Sequence, residues 1–351
     1  MAGLVDKFVS FFQSQPQQTN DEATSLATPE SRFHKAVKSA NLGQVQSEVG
    51  RGFDINGRNI YGKTGLEIAT MNGNIQMINH LVSLGANINL QTRDGEGPLS
   101  IAVKNKDIET IYALANLGIN INNSNTDGET ILHKFSISDE TDAYIHQELL
   151  NLGANINAAD KYGKTPLHHQ VGANSDYTVY YLLAHNANIN ARDKEGKTPI
   201  YDAIIYGHTE IIQTLLEFNP NLNIPDKNGL TPLHVSIDIL NQELIQQFVN
   251  HGANINAQDA YGKTPLHHAI ESGNTKAASL LVQMGANPNI RDKSGQLPLN
   301  SAPNQQVYTE MKHLIQDARP QPNVSHRLSQ FGTRYTDQAA RVPENYDSYQ
   351  K

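Results

Sequence analysis

Glycine returns along this chain at Gly62, Gly95, Gly128, Gly163, Gly196, Gly229, Gly262 and Gly295, 33 residues apart at every step except Gly128 to Gly163, where the spacing is 35. A register held over eight positions means that one small structural unit is used again and again. No unit of this size buries its own apolar faces, so such a chain is stable only by stacking neighbour on neighbour. Each glycine falls where the chain reverses between units, a place that favours positive φ and a residue without Cβ.

Residues 259–291 are the cleanest copy. Thr264 and Pro265 start a helix, since a threonine hydroxyl caps an orphan N–H and proline suits the first helical position. The pair recurs as Thr165-Pro166, Thr198-Pro199 and Thr231-Pro232, whereas Thr64-Gly65, Gly97-Pro98, Thr130-Ile131 and Leu297-Pro298 are partial versions with looser expected starts. A second helix follows, with apolar residues at i, i+3 and i+4: Ile78/Leu81/Val82, Val179/Leu182/Leu183, Ile212/Leu215/Leu216, Ile245/Phe248/Val249 and Ala278/Leu281/Val282. It ends at Gly85, Gly118, Gly153, Asn186, Asn219, Gly252 or Gly285, residues that accept a left-handed cap. Small residues at Ala69, Ala102, Ala203, Ser236, Ala269 and Ala302 let neighbouring first helices approach closely.

The period, the two short helices and the T-P-L-H signature resemble the ankyrin repeat family. The resemblance implies an all-α repeat fold, a solenoid of stacked helix-turn-helix units joined by β-turn or hairpin loops. On that reading residues 1–28 are an N-terminal amphipathic segment and disordered linker, and 29–58 a capping repeat. Seven repeats follow at 59–91, 92–124, 125–159, 160–192, 193–225, 226–258 and 259–291. Residues 292–318 are a C-terminal capping repeat with a polar last helix, and 319–351 a disordered tail. Asparagine makes up about a tenth of the chain and G-A-N-I-N recurs in it. With the polar tails, this is similar to ankyrin proteins of intracellular bacteria, some of which are delivered into host cells. An A/T-rich genome produces the same composition.

The repeat at 125–159 breaks the pattern. It carries two extra residues around Ser136 to Thr141, and Phe135 stands at the small-residue position, as does Gln170 in the next repeat. Violations of a local rule mark either drift or function.

A net charge of −8 and a pI near 5.9 argue against nucleic acid as the partner. The absence of cysteine excludes disulfides and zinc–thiolate sites and fits a reducing cytosol. No stretch approaches the length of a membrane span. Gly57 to Thr64 matches the phosphate-loop pattern G-x-x-x-x-G-K-[ST], but no buried strand precedes it, and G-K-T recurs at 163–165, 196–198 and 262–264. His133, His168, His234 and His267 lie one repeat apart, too far for shared metal ligation. The ankyrin resemblance makes them structural residues that tie adjacent turns. No catalytic constellation is present, so no enzyme activity, cofactor or metal is expected.

In ankyrin repeats the turn tips and exposed sides of the first helices grip a protein partner. The positions that fall there are Tyr61, Lys63, Lys161, Tyr162, Lys164, Lys194, Lys197, Tyr206, Lys227, Tyr261, Lys263 and Lys293. The tips at 93–96 and 126–129 are net acidic, those from 161 to 293 net basic. The expectation is a monomeric, non-enzymatic scaffold whose partner carries an acidic patch. The alternative is an inhibitor or regulatory subunit that plugs a partner enzyme's active site.

Overall fold

The computed structural model describes residues 29–237, 239 and 242–317, with side chains from residue 32. The N-terminal segment at 1–28 and the tail at 319–351 lie outside the described residues. Seventeen α-helices and one 3-10 turn, and no strand, occur among the described residues. The chain divides into two compact units, one ending at Asn155 and the other beginning at Ile156.

In the first unit, paired helices run Pro29–Lys38 with Leu42–Gly50, Gly65–Met71 with Ile75–Ser83, Pro98–Lys104 with Ile108–Asn116, and Ile131–Lys134 with Glu140–Asn151. Phe33, Leu66, Met77, Leu81, Leu99, Ile111, Leu114, Leu132, Ile145 and Leu149 fill one continuous core. Ala69 and Ala102 are fully buried where a larger residue would hold the first helices apart. Glu48, buried on the second helix where an apolar residue belongs, is held by Arg32 at 3.3 Å and Arg51 at 3.0 Å.

In the second unit the pairs are Pro166–Gly172 with Asp176–Ala184, Pro199–Tyr206 with Thr209–Glu217, Pro232–Ser236 with Gln242–Asn250, and Pro265–Glu271 with Thr275–Gln283; a 3-10 turn at Pro298–Ser301 and the helix Gln305–Asp317 close it. Its core runs from Leu167 through Leu182, Tyr201, Leu215, Phe248 and Leu281 to Met311. Asn186 and Asn219 take φ of +65° and +53° at the ends of second helices, doing the work of the glycines elsewhere.

Four helix starts differ from expectation. At Thr165, Thr198 and Thr231 the hydroxyl does not cap the helix. At Thr165 and Thr231 the threonine N–H instead donates to Nδ1 of the histidine three residues on, at 3.1 Å in both cases. The histidine thus reaches back to close the first turn. The start at Thr64, expected to be loose for want of proline, is a complete capping box: Glu67 N–H donates to Oγ1 at 3.1 Å, and Thr64 N–H donates to Glu67 Oε2 at 2.9 Å. The start at Leu297 is reduced to a 3-10 turn.

The turn glycines serve two purposes at once. Gly229 has φ of +78°, and a Cβ there would lie 2.5 Å from the backbone nitrogen of Ala260 in the next repeat. Gly207 has φ of +69° with nothing in the way of a Cβ. Gly207→Ala should therefore cost only its backbone strain, about 1 kcal/mol, whereas Gly229→Ala should cost about 3 kcal/mol or more because the next repeat must also shift. Urea denaturation of the two variants, followed by a probe in residues 156–317, measures the difference.

Candidate functional site

The tips of the second unit are built from backbone. Asp160 Oδ1 accepts from the N–H groups of Tyr162 and Lys164, both at 2.8 Å, and Asp193, Asp226, Asp259 and Asp292 brace their turns in the same way. Each braced turn then bonds to the next. Lys194 N–H donates to Tyr162 O at 2.8 Å; Lys227 donates to Glu195 O, Ala260 to Asn228 O and Lys293 to Tyr261 O, each at 2.9 Å. Gly163 and Gly262 would place a Cβ 2.9 Å and 2.8 Å from the backbone nitrogens of Lys194 and Lys293. Only glycine lets the turns come this close.

Histidine adds a second set of ties. Because Nδ1 of His168 and His234 accepts from the threonine N–H, Nε2 carries the ring proton. It donates to Lys197 O at 3.2 Å from His168 and to Lys263 O at 3.1 Å from His234. His267 reaches Gln296 O at 3.3 Å. Burial holds all three rings below their ordinary pKa, His234 at about 4. The adjacent His169 and His268 turn the other way and meet Asp160 and Asp259, each at 2.9 Å. Burial pushes both carboxylates up, but their hydrogen bonds from the histidine and from the turn amides outweigh it, and both titrate below their ordinary value.

Asparagine supplies a third set. Asn157, Asn190, Asn223 and Asn256 each accept, through Oδ1, from the N–H of Asn188, Asn221, Asn254 and Asn287 in the following repeat, at 2.7–2.8 Å. The same bond runs through the first unit from Asn56 to Asn87, Asn89 to Asn120 and Asn122 to Asn155. The G-A-N-I-N asparagines thus have a structural use that composition did not disclose.

The side chains expected at the binding face fall into two groups. Lys63, in the first unit, meets Glu96 at 2.6 Å. In the second unit Lys164 meets the buried Asp202 at 2.9 Å, Lys263 meets Glu271 at 2.7 Å, and Lys227 lies 3.5 Å from Glu195. Burial lowers the Lys164 pKa, but Asp202 more than restores it. Lys161 packs its ammonium 4.9 Å above the Tyr162 ring. Lys194, Lys197 and Lys293 have no ion pair among the described residues. The basic row is therefore less available than its sequence suggests.

The tyrosines are open. Tyr162, Tyr206 and Tyr261 are 57%, 58% and 70% exposed, and Tyr61 in the first unit is 79% exposed. Tyr206 lies beside Gly172, whose Cβ would come within 3.9 Å of the ring.

A family model described as ankyrin repeats (3 copies) matches residues 33–125, 99–193, 141–226, 170–259, 218–292 and 236–321. The chain belongs to the ankyrin-repeat family. Among solved structures it is similar to the ankyrin repeat domain of Bcl-3, described as a unique member of the IkappaB protein family, at 24% identity over 72% of this chain and 99% of that one, with a TM-score of 0.48. No curated protein compared with it matches.

Within this ankyrin array, sequence reasoning overlooked a second set of exposed aromatics. Tyr177 and Tyr180 project from the Asp176–Ala184 helix, Tyr180 edge-on to Phe218 at 5.6 Å. Helical periodicity was the available signal, since both fall outside the Val179/Leu182/Leu183 face. The phosphate-loop match at Gly57–Thr64 dissolves on inspection. Asn59 Oδ1 takes the amides of Tyr61 and Lys63, and Lys63 is committed to Glu96. No helix among the described residues is long and apolar enough to cross a membrane.

The histidine ties make the second unit acid-sensitive. An unfolded histidine takes up a proton near pH 6.5, while His234 in the fold resists until about pH 4. Its contribution is complete above pH 6.5 and is lost as pH falls toward 4, on the order of 3 kcal/mol in all. Urea midpoints for residues 156–317 should drop steadily across that interval, and His234→Gln should flatten the slope.

Proposed function

We propose that this protein is a non-enzymatic interaction scaffold that binds a protein partner through the turn tips and first helices of residues 156–317. The observation that carries the reading is the exposure of Tyr162, Tyr206 and Tyr261 on a backbone whose own polar groups are already bonded between repeats. Tyrosine buries a large area with little loss of side-chain freedom and is a frequent interface hot spot. Lysines around it steer approach more than they hold a complex.

The ion pairs decide which lysines do the steering. Lys164 and Lys263 are committed to Asp202 and Glu271, so their charge is largely spent inside the array. Lys194, Lys197 and Lys293 are the ones whose charge faces outward, and an acidic patch on the partner is the chemistry they favour. A partner enzyme whose active-site rim is acidic would be plugged by the same face. The repeat boundaries set out above are part of this proposal, as is a monomeric state.

The narrower reading, a bacterial protein delivered into a host cell, rests on asparagine content and polar tails. The asparagine ladder gives much of that content a mechanical reason and leaves the tails to carry the idea. A translocation assay with the full chain fused to a reporter enzyme tests it directly.

Surface plasmon resonance with a partner captured by cross-linking tests the main reading. Tyr162→Ala or Tyr261→Ala should speed dissociation, each costing about 2 kcal/mol, whereas Lys194→Glu with Lys197→Glu should slow association and weaken its salt dependence. Unchanged rates in both sets would remove this face as the binding surface.

A further inference from the structure

A cleft of about 580 Å³ opens within the unit that ends at Asn155, between the turn at Gly95, the Pro98–Lys104 helix and the Ile131–Lys134 helix. It exists because the two helices are unequal. Pro98–Lys104 runs for seven residues, but its counterpart stops after four. Phe135 takes an extended backbone where the first helix would continue, and its ring turns to stack on His146, with centroids 5.9 Å apart. Phe135 stands at the position that the buried Ala69 and Ala102 occupy in the preceding repeats, and here the helix ends.

The floor of the cleft is apolar, formed by Leu99, Val103, Ile131 and Phe135. Its walls carry four carboxylates, Asp94, Glu96, Glu129 and Asp142, against three ammonium groups, Lys104, Lys106 and Lys134. Those lysines are engaged from within. Lys106 lies between Asp139 at 2.6 Å and Asp142 at 2.8 Å; Lys134 bonds Glu129 at 3.1 Å and the carbonyl of Asp94 at 2.8 Å; Lys104 lies 3.3 Å from Glu96. Lys63 holds Glu96 from the other side and keeps it ionised below the ordinary carboxylate range. An anionic ligand would have to break these pairs. A cationic one meets the surplus carboxylate, and Asp94, exposed at the rim, has no ion pair among the described residues.

We propose that this cleft recognises a basic side chain carried beside an apolar one on a protein partner, the apolar group resting on Leu99, Val103 and Ile131 and the basic group against Asp94. Its volume is that of ordinary ligand pockets, about 300 to 1,000 Å³. The proposal rests on the reading that this chain binds proteins, and is independent of the face at residues 161–293. It also gives the irregular repeat a use: the shortened helix is what makes the pocket.

The test is a titration of the full chain, labelled at its isoleucine, leucine and valine methyl groups, with acetyl-Arg-Leu-amide and, separately, acetyl-Glu-Leu-amide. The methyl signals of Leu99, Val103 and Ile131 should move saturably with the arginyl peptide, and the glutamyl peptide should bind roughly fivefold more weakly or worse. Asp94→Lys, a surface change, should weaken the arginyl peptide by a similar factor while leaving the rest of the spectrum in place. Tyr162→Ala should leave these shifts unaltered, so loss of the tip face as a binding surface and loss of the cleft are separately visible. Static methyl signals, equal binding of the two peptides, or indifference to Asp94→Lys would each overturn the proposal.

Discussion

The fold of the second unit depends on backbone hydrogen bonds that pass from one turn to the next. Tyr162 O to Lys194 N, Glu195 O to Lys227 N, Asn228 O to Ala260 N and Tyr261 O to Lys293 N form a continuous edge in which each of the three inner turns donates to one neighbour and accepts from the other. These bonds can form only because an aspartate fixes the shape of each turn and a glycine removes the atom that would keep the next one away. The packing of alanine-lined helices alone would tolerate sliding, so directional bonds are what fix the register. The asparagine ties, and the ties from His168, His234 and His267, repeat the specification at two further places. Three independent rows of bonds leave one register that satisfies them all.

That arrangement also sets what the surface has to offer. With the turn amides and carbonyls consumed, recognition at the tips has to use side chains. Of these, the paired lysines are poor candidates for binding energy, because a partner carboxylate that attracts Lys164 must compete with a buried aspartate 2.9 Å away. The exposed tyrosines have no such competitor. The energetic hierarchy at this face is thus aromatic first and electrostatic second, even though lysine is the commoner residue on it.

Much of this was legible in the sequence, and the remainder was hidden for a consistent reason. The glycine register, the threonine–proline helix starts, the apolar faces and the asparagine caps at 186 and 219 are local features, decided by residues within a few positions of one another. The pairing of Lys164 is decided 38 residues away at Asp202, and that of Lys63 is decided 33 residues away at Glu96. Nothing in the tip sequences shows which lysine will find a partner across the repeat. The asparagine ladder does not show in the composition, because these bonds span 31 residues and look like nothing in a window of ten. At Phe135 the sequence showed a broken rule, but not that the helix would end there with the ring stacked on His146, 11 residues on.

The histidine of the T-P-L-H signature does two jobs, and substitutions in this chain separate them. It accepts from the N–H of its own threonine, closing the helix start, and it donates to a carbonyl in the next repeat. Glu67 stands at the same position and keeps the first job alone: its carboxylate takes the Thr64 N–H at 2.9 Å and otherwise meets Arg58 at 3.2 Å. Tyr201 keeps the second alone, its hydroxyl lying 2.7 Å from Leu230 O and 2.6 Å from Ile224 O, while Thr198 goes without a side-chain cap. What the fold requires at this position is therefore a polar atom at either of two places, not an imidazole. Imidazole is the side chain that reaches both, and its cost is a buried group that acid can charge. Tyr201 carries no such cost, so its tie to Leu230 holds at pH values where those made by His168 and His234 fail.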